Sequence, residues 1–197
     1  MKRFILSRIV LSVGCTLASA MAGASARADS GVAQDGSAIH KLVFFTDSPG
    51  VAIELPPGEG LFADQFASTD PGWASVDIDQ PPDYFTLLPG HQVSLMRLDF
   101  DPGFAMYYPF TGTQILETNG AIYTFDAMGN GVFDNDLLYV ADGPLGTTYS
   151  ATFQLVDPSG LHASSDPFTL EFVATPEPST LGLVLIGAFG VWRRRCR

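Results

Sequence analysis

Hydrophobic and polar positions along this chain alternate in short runs with a period of two, as half-buried β-strands require. The pattern is clearest in residues 147–157, where Tyr149, Ala151, Phe153 and Leu155 alternate with Thr148, Ser150, Thr152 and Gln154. It returns where Phe168, Leu170 and Phe172 alternate with Thr169, Glu171 and Val173, so the two runs predict a terminal pair of strands joined by a polar loop that opens with the turn Asp157-Pro158-Ser159-Gly160. Residues 41–46 and 51–55, split by Asp47-Ser48-Pro49-Gly50, predict an earlier hairpin, and further short strands are expected at 73–78, 84–88, 92–100, 104–110, 114–116, 121–125 and 137–140. Within 92–100 the apolar phase changes, with Val93 and Leu95 on one face and Met96, Leu98 and Phe100 on the other. That predicts a bulge or a strand covered on both sides. Met128-Gly129-Asn130-Gly131 supplies an Asn-Gly hairpin signal. One helical turn is expected near 63–66, and no run before residue 181 holds a helical period over three turns. The pattern therefore predicts an all-β domain, an antiparallel β-sandwich or jelly roll, over residues 39–174, behind a disordered lead at 29–38.

The two ends follow different rules. Lys2, Arg3 and Arg8 precede an apolar stretch at 9–22, and Ala26-Arg27-Ala28 offers a small-x-small cleavage site, so residues 1–28 read as a secretory signal peptide. At 175–180 the prolines lack amide donors and fix φ, which predicts an extended, exposed linker. Residues 181–192 are uncharged, and Leu181, Leu183, Val184, Leu185, Ile186, Phe189 and Trp192 would form the apolar surface of a single transmembrane helix. At 1.5 Å per residue that helix would reach about 18 Å, short against a hydrocarbon core of about 30 Å. Arg193, Arg194, Arg195 and Arg197 then form a basic stop, expected on the cytoplasmic side.

The order Pro176-Glu177-Pro178-Ser179, apolar segment, basic cluster resembles the PEP-CTERM protein-sorting signal of exported bacterial proteins. The resemblance implies that an exosortase, a membrane-embedded cysteine peptidase, is a partner of this chain. It implies transient anchoring in the inner membrane, followed by residence at the cell surface or outside the cell, and a link to exopolysaccharide, which such proteins accompany. The resemblance covers the tail alone and leaves the work of the β-domain open.

Charge narrows that work. Between residues 29 and 174 stand 20 Asp and Glu against two bases, Lys41 and Arg97, a formal excess of 18 negative charges. Phosphate recognition needs Lys or Arg to displace counterions, so nucleic acid is excluded as a partner. Both cysteines, Cys15 and Cys196, lie in the terminal segments, so the domain has neither a disulfide nor a cysteine nucleophile. No Gly-x-Ser-x-Gly elbow occurs, and His40, His91 and His162 stand beside turns, where solvent-facing or capping roles are expected. Asp99 and Asp101 could share a face as a hydrolase carboxylate pair, yet Asp101-Pro102-Gly103 reads more simply as a turn. Asp126, Asn130 and Gly131 match positions one, five and six of an EF-hand loop, but Met128 and Leu137 stand where oxygen ligands belong. A looser calcium site would use Asp126, Asn130, Asp134 and Asp136, and otherwise no cofactor is expected. Trp73, Tyr84, Tyr107 and Tyr108 read either as core or as a sugar-stacking platform. These features predict a structural, non-enzymatic protein, with a carbohydrate- or calcium-binding module as the alternative and a secreted hydrolase third.

Overall fold

The computed structural model describes residues 30–128 and 131–176. Its strands are β1 (Ser30–Gln34), β2 (Leu42–Thr46), β3 (Ile53–Leu55), β4 (Phe66–Ser68), β5 (Trp73–Ser75), β6 (Ser94–Phe100), β7 (Phe104–Tyr108), β8 (Thr113–Ile115), β9 (Ile122–Thr124), β10 (Asp134–Asn135), β11 (Leu138–Ala141), β12 (Thr148–Val156) and β13 (Phe168–Ala174). They form three sheets in the orders β10-β5-β1-β2, β4-β11-β7-β8 and β3-β13-β12-β6-β9. Strand β12 shows why the layers form. Its alternation buries Tyr149, Ala151, Phe153 and Leu155 and turns the intervening residues outward. Against this face of the five-stranded sheet, Trp73 and Phe44 from the first sheet meet Phe153 and Phe168, while Phe104 and Tyr139 from the second meet Phe172. The result is a sandwich-like all-β body with the five-stranded sheet as one layer and the other two sheets facing it.

Those two sheets are joined within the core. The buried Trp73 Nε1–H donates to Tyr139 Oη at 2.6 Å, and the Tyr139 hydroxyl donates to the Pro71 carbonyl at 3.0 Å. Burial pushes the Tyr139 phenol far above its ordinary range, so it remains a donor at any pH the fold survives.

The expected terminal pair forms an antiparallel hairpin, with β12 and β13 in register from Thr148↔Val173 to Phe153↔Phe168. The phase change in the long strand resolves as a bulge. Thr152 lies opposite Asp99 and Phe153 opposite Arg97, so Leu98 is the extra residue, and the offset lets Leu95 and Phe100 both face the core.

Other expectations are corrected. The sandwich is mixed rather than purely antiparallel, because β1 pairs parallel with β5 and β3 parallel with β13. The lead expected to be disordered contains β1, buried throughout and paired on both edges. Its small residues serve close packing, since a Cβ on Gly31 would collide with the Phe45 ring. The hairpin expected across residues 41–55 does not form, for β2 pairs with β1 whereas β3 crosses to the five-stranded sheet. Residues 84–88 contribute only isolated bridges from Tyr84 and Phe85. The helical turn lies at Gly60–Phe62, before the expected place, and Phe66 instead opens β4. Strands flanking the Asn-Gly turn belong to different sheets, β9 pairing with β6 and β10 with β5. Among the described residues no helix is long and apolar enough to cross a membrane, and the expected signal peptide and transmembrane helix lie outside them.

Replacing Tyr139 with Phe removes the acceptor for the Trp73 N–H and the donor for the Pro71 carbonyl while keeping the ring. We expect a loss of about 1–3 kcal/mol in unfolding free energy, seen as a lower urea midpoint at unchanged slope.

Candidate functional site

The tail leaves the body from an interior strand. Strand β13 is held between β12 and β3, and its last residues are pinned from both sides. The Ala174 amide donates to Thr147 O at 3.0 Å, the Ala174 carbonyl accepts Gly146 N–H at 2.8 Å, and the Thr175 amide donates to Leu55 O at 2.9 Å. Ala174 and Leu55, opposite each other in the parallel register, are both buried. Pro176 follows, exposed and without an amide to continue the ladder, so pairing stops there for a covalent reason. Continuing the parallel register places Pro56 opposite Thr175 and Pro57 opposite Pro176, the two segments running on in the same direction. Of the sorting residues expected from sequence, Pro176 is described. Glu177, Pro178, Ser179, the apolar residues of 181–192 and the four arginines lie outside the described residues.

The remaining candidates are dispersed. Asp126, Asp134 and Asp136 are exposed, Asn130 lies outside the described residues, and among the described residues no three acidic, histidine or cysteine side chains are arranged so that they could hold a metal ion. Asn135 is the residue that meets Asp126, accepting its amide at 3.3 Å. Asp101 is a staple, its Oδ2 accepting the Ser150 amide at 2.7 Å at the start of β12, while Asp99 is exposed on β6. The aromatic residues do not share a platform. Trp73 is in the core, Tyr84 stacks on Phe45, Tyr107 leans on Phe62, and Tyr108 meets Phe110 edge-on.

Sequence reasoning missed a polar cluster built from two of the histidines. His91 and His162 are buried rather than solvent-facing, their rings 6.1 Å apart. The Asp157 carboxylate, fully covered, accepts Gln92 N–H at 3.0 Å, Ser159 N–H at 2.9 Å and the Ser159 hydroxyl at 2.6 Å through Oδ1, and lies 2.7 Å from His162 Nδ1 through Oδ2. His162 Nε2 accepts the Leu88 amide at 3.1 Å, which places the ring proton on Nδ1. This arrangement orients loops rather than moving protons, because the lone pair a general base would use is occupied by backbone. His91 adds a contact from Nε2 to Gly131 O at 2.6 Å, tying a third loop to the first two. The available sequence signal was slight, an Asp and a His five residues apart across a Pro-Ser-Gly turn.

Burial pushes the Asp157 carboxyl up, but the hydrogen bonds from Ser159, His162 and Gln92 outweigh it, and its pKa is held below the ordinary carboxylate range. The stability it contributes is complete above the unfolded value near 3.9 and is lost as pH falls through the lower folded value. Asp157→Asn should cost about 1–3 kcal/mol at neutral pH, because the amide cannot accept all the donors that converge on the carboxylate and leaves one of them buried without a partner. Urea unfolding across an acid pH series should also show the variant with a flatter acid limb than the parent.

Residues 174–195 match the family model for the PEP-CTERM protein-sorting motif. No curated protein and no solved structure matches the chain. The chain thus carries a PEP-CTERM sorting motif whose first residue, Ala174, is the last residue of β13.

Proposed function

We propose that this protein is an exported cell-surface or matrix-associated β-domain, delivered by its tail to an exosortase, non-enzymatic itself and linked to exopolysaccharide. The motif supports sorting by an exosortase and export. The reading is carried by the junction at Ala174, where a strand pinned on both sides passes directly into the sorting segment. A peptidase needs an extended substrate, and prolines at 176 and 178 disfavour both helix and ladder beyond the last paired residue. In this reading residues 1–28 direct export, and residues 181–192 hold the chain in the inner membrane until cleavage, with the arginines on the cytoplasmic side. The mature protein is then expected to end near Pro178, Ser179 or Thr180, without Trp192 or Cys196. Mass spectrometry of the C-terminal peptide from producing cells checks this, with Glu177→Ala accumulating the uncleaved form. An exported protein that still ended at Arg197 would make the segment a permanent anchor.

The β-domain itself requires no cofactor in this reading. Divalent cations should act by screening the excess negative charge. Melting temperature is expected to rise equally in Ca²⁺ and Mg²⁺, with Asp134→Ala and Asp136→Ala together leaving the two ions equivalent. A rise specific to Ca²⁺ that this double variant removes would favour the calcium-binding alternative.

A further inference from the structure

A groove of about 570 Å³ opens where the chain leaves the body, lined by Pro56, Pro57, Leu61, Phe62, Pro109 and Phe110 among others. Its rim carries the two most exposed large hydrophobic side chains of the described residues, Leu61 at 84% and Phe110 at 85%. These side chains belong to a built surface. Phe62 packs on Tyr107 at 4.9 Å between ring centroids, and Phe110 meets Tyr108 edge-on at 5.9 Å. Glu59 is the one charged residue lining it, in a body with a large acidic excess. A second groove, of about 540 Å³, has apolar lining too but includes three carboxylates, Glu54, Asp70 and Glu171, and so carries more negative charge.

Position identifies the occupant. Leu55 and Ala174 are register partners and Thr175 donates to Leu55 O, so Pro56, which begins the apolar groove, lies opposite Thr175, one residue before the exit begins at Pro176. From Pro176 to Leu181, the start of the uncharged segment, are five Cα steps, about 18 Å at full extension. The polar headgroup zone on each side of a bilayer is about 5–7 Å thick. A body tethered so closely to a segment entering the hydrocarbon must hold its exit face at or just above the headgroups.

We propose that this groove face is a membrane-seating surface, with Leu61 and Phe110 entering the outer-leaflet interface of a lipid bilayer while the tail anchors the chain. The proposal rests on the reading that residues 181–192 enter the membrane. Exposed Leu and Phe at such a face gain from the lipid boundary, and a patch with a single carboxylate meets less of the repulsion that the acidic remainder meets at anionic headgroups. Seating also fixes how the body stands, so that the sorting segment is presented beside the bilayer.

The test uses the full chain with Cys15→Ser and Cys196→Ser, carrying an environment-sensitive fluorophore on a single cysteine at Phe110→Cys, at Phe189→Cys in the tail, or at Ile78→Cys, an exposed position outside the groove. Each is mixed with vesicles of phosphatidylethanolamine containing a minority of phosphatidylglycerol. The expected result is a blue shift and brightening at 189 and at 110, with the label at 78 unchanged. A shift at 189 with 110 behaving like 78 would overturn the seating surface and leave membrane entry standing. No shift at 189 would remove membrane entry and the proposal together. A label at 110 already blue-shifted before vesicles are added would show the groove covered by protein, its own tail or a second copy, and would also overturn it.

Discussion

Trp73 packs against all three sheets, and the two-layer body depends on it because nothing covalent holds the layers together. Fully buried on β5, its ring lies near Phe44 of its own sheet and near Phe153 and Phe168 of the five-stranded sheet, with Phe125 closing another side. Its N–H reaches Tyr139 in the remaining sheet. A buried indole N–H without a partner would cost more than the bond gains. The Tyr139 hydroxyl meets that demand and donates its own hydrogen bond to Pro71 O, so the polar chain ends on backbone inside the core. Aromatic pairs contribute about 0.5–1.5 kcal/mol each beyond the area they bury. In a thiol-free domain, a network of such pairs does the work that disulfides do in many small exported domains.

This core determines how the tail is held. Strand β13 buries Leu170 and Phe172 against it and hydrogen-bonds to a neighbour along each edge. Force applied through Pro176 is therefore shared by ladders on both sides and by the packed face beneath, whereas an edge strand would peel one bond at a time. The parallel partner β3 adds a second effect, because parallel pairing makes residues 55–57 and 174–176 leave the sheet in the same direction. The sorting motif begins at Ala174, so whatever acts on it meets these ladders before it reaches the core.

Legibility in the sequence followed the source of each signal. β12 and β13 could be read because each has one face on the core and one toward solvent, so burial writes itself as alternation. The bulge at Leu98 could be read because it reverses the phase of that alternation. β1 could not, since Ser30-Gly31-Val32-Ala33 is buried on both faces and its small residues make room for Phe45, a property of the neighbouring strand. The partner of β2 was misassigned because Asp47-Ser48-Pro49-Gly50 specifies a change of direction and not which strand follows alongside. The two-residue strand β10 is too short to carry any period, and its place is set by Trp73 and Ala74 opposite. At the site, the sorting segment was legible because its residue order is local. The Asp157–His162 cluster was not, because it assembles from loops 65 residues apart at Gln92 and Asp157.

The distribution of charge connects these features. Lys41 and Arg97 are the only bases between residues 30 and 176, and both are engaged. Lys41 Nζ meets Asp166 at 2.7 Å, while Arg97 binds the carbonyls of Leu116 and Glu117 and the Asn119 side chain, with its guanidinium 4.2 Å from the Phe100 ring centroid. Arg97 thus stabilises a turn in which Leu116 adopts a φ of 53°, and little positive charge is left facing outward. At physiological salt, repulsion from anionic lipid or acidic polymer extends over a Debye length of about 8 Å, comparable to the depth of a headgroup layer. Approach to such a surface is opposed over most of the body and least opposed where carboxylates are sparse. The groove beginning at Pro56 is such a region, and the parallel pairing of β3 with β13 puts the departing chain beside it.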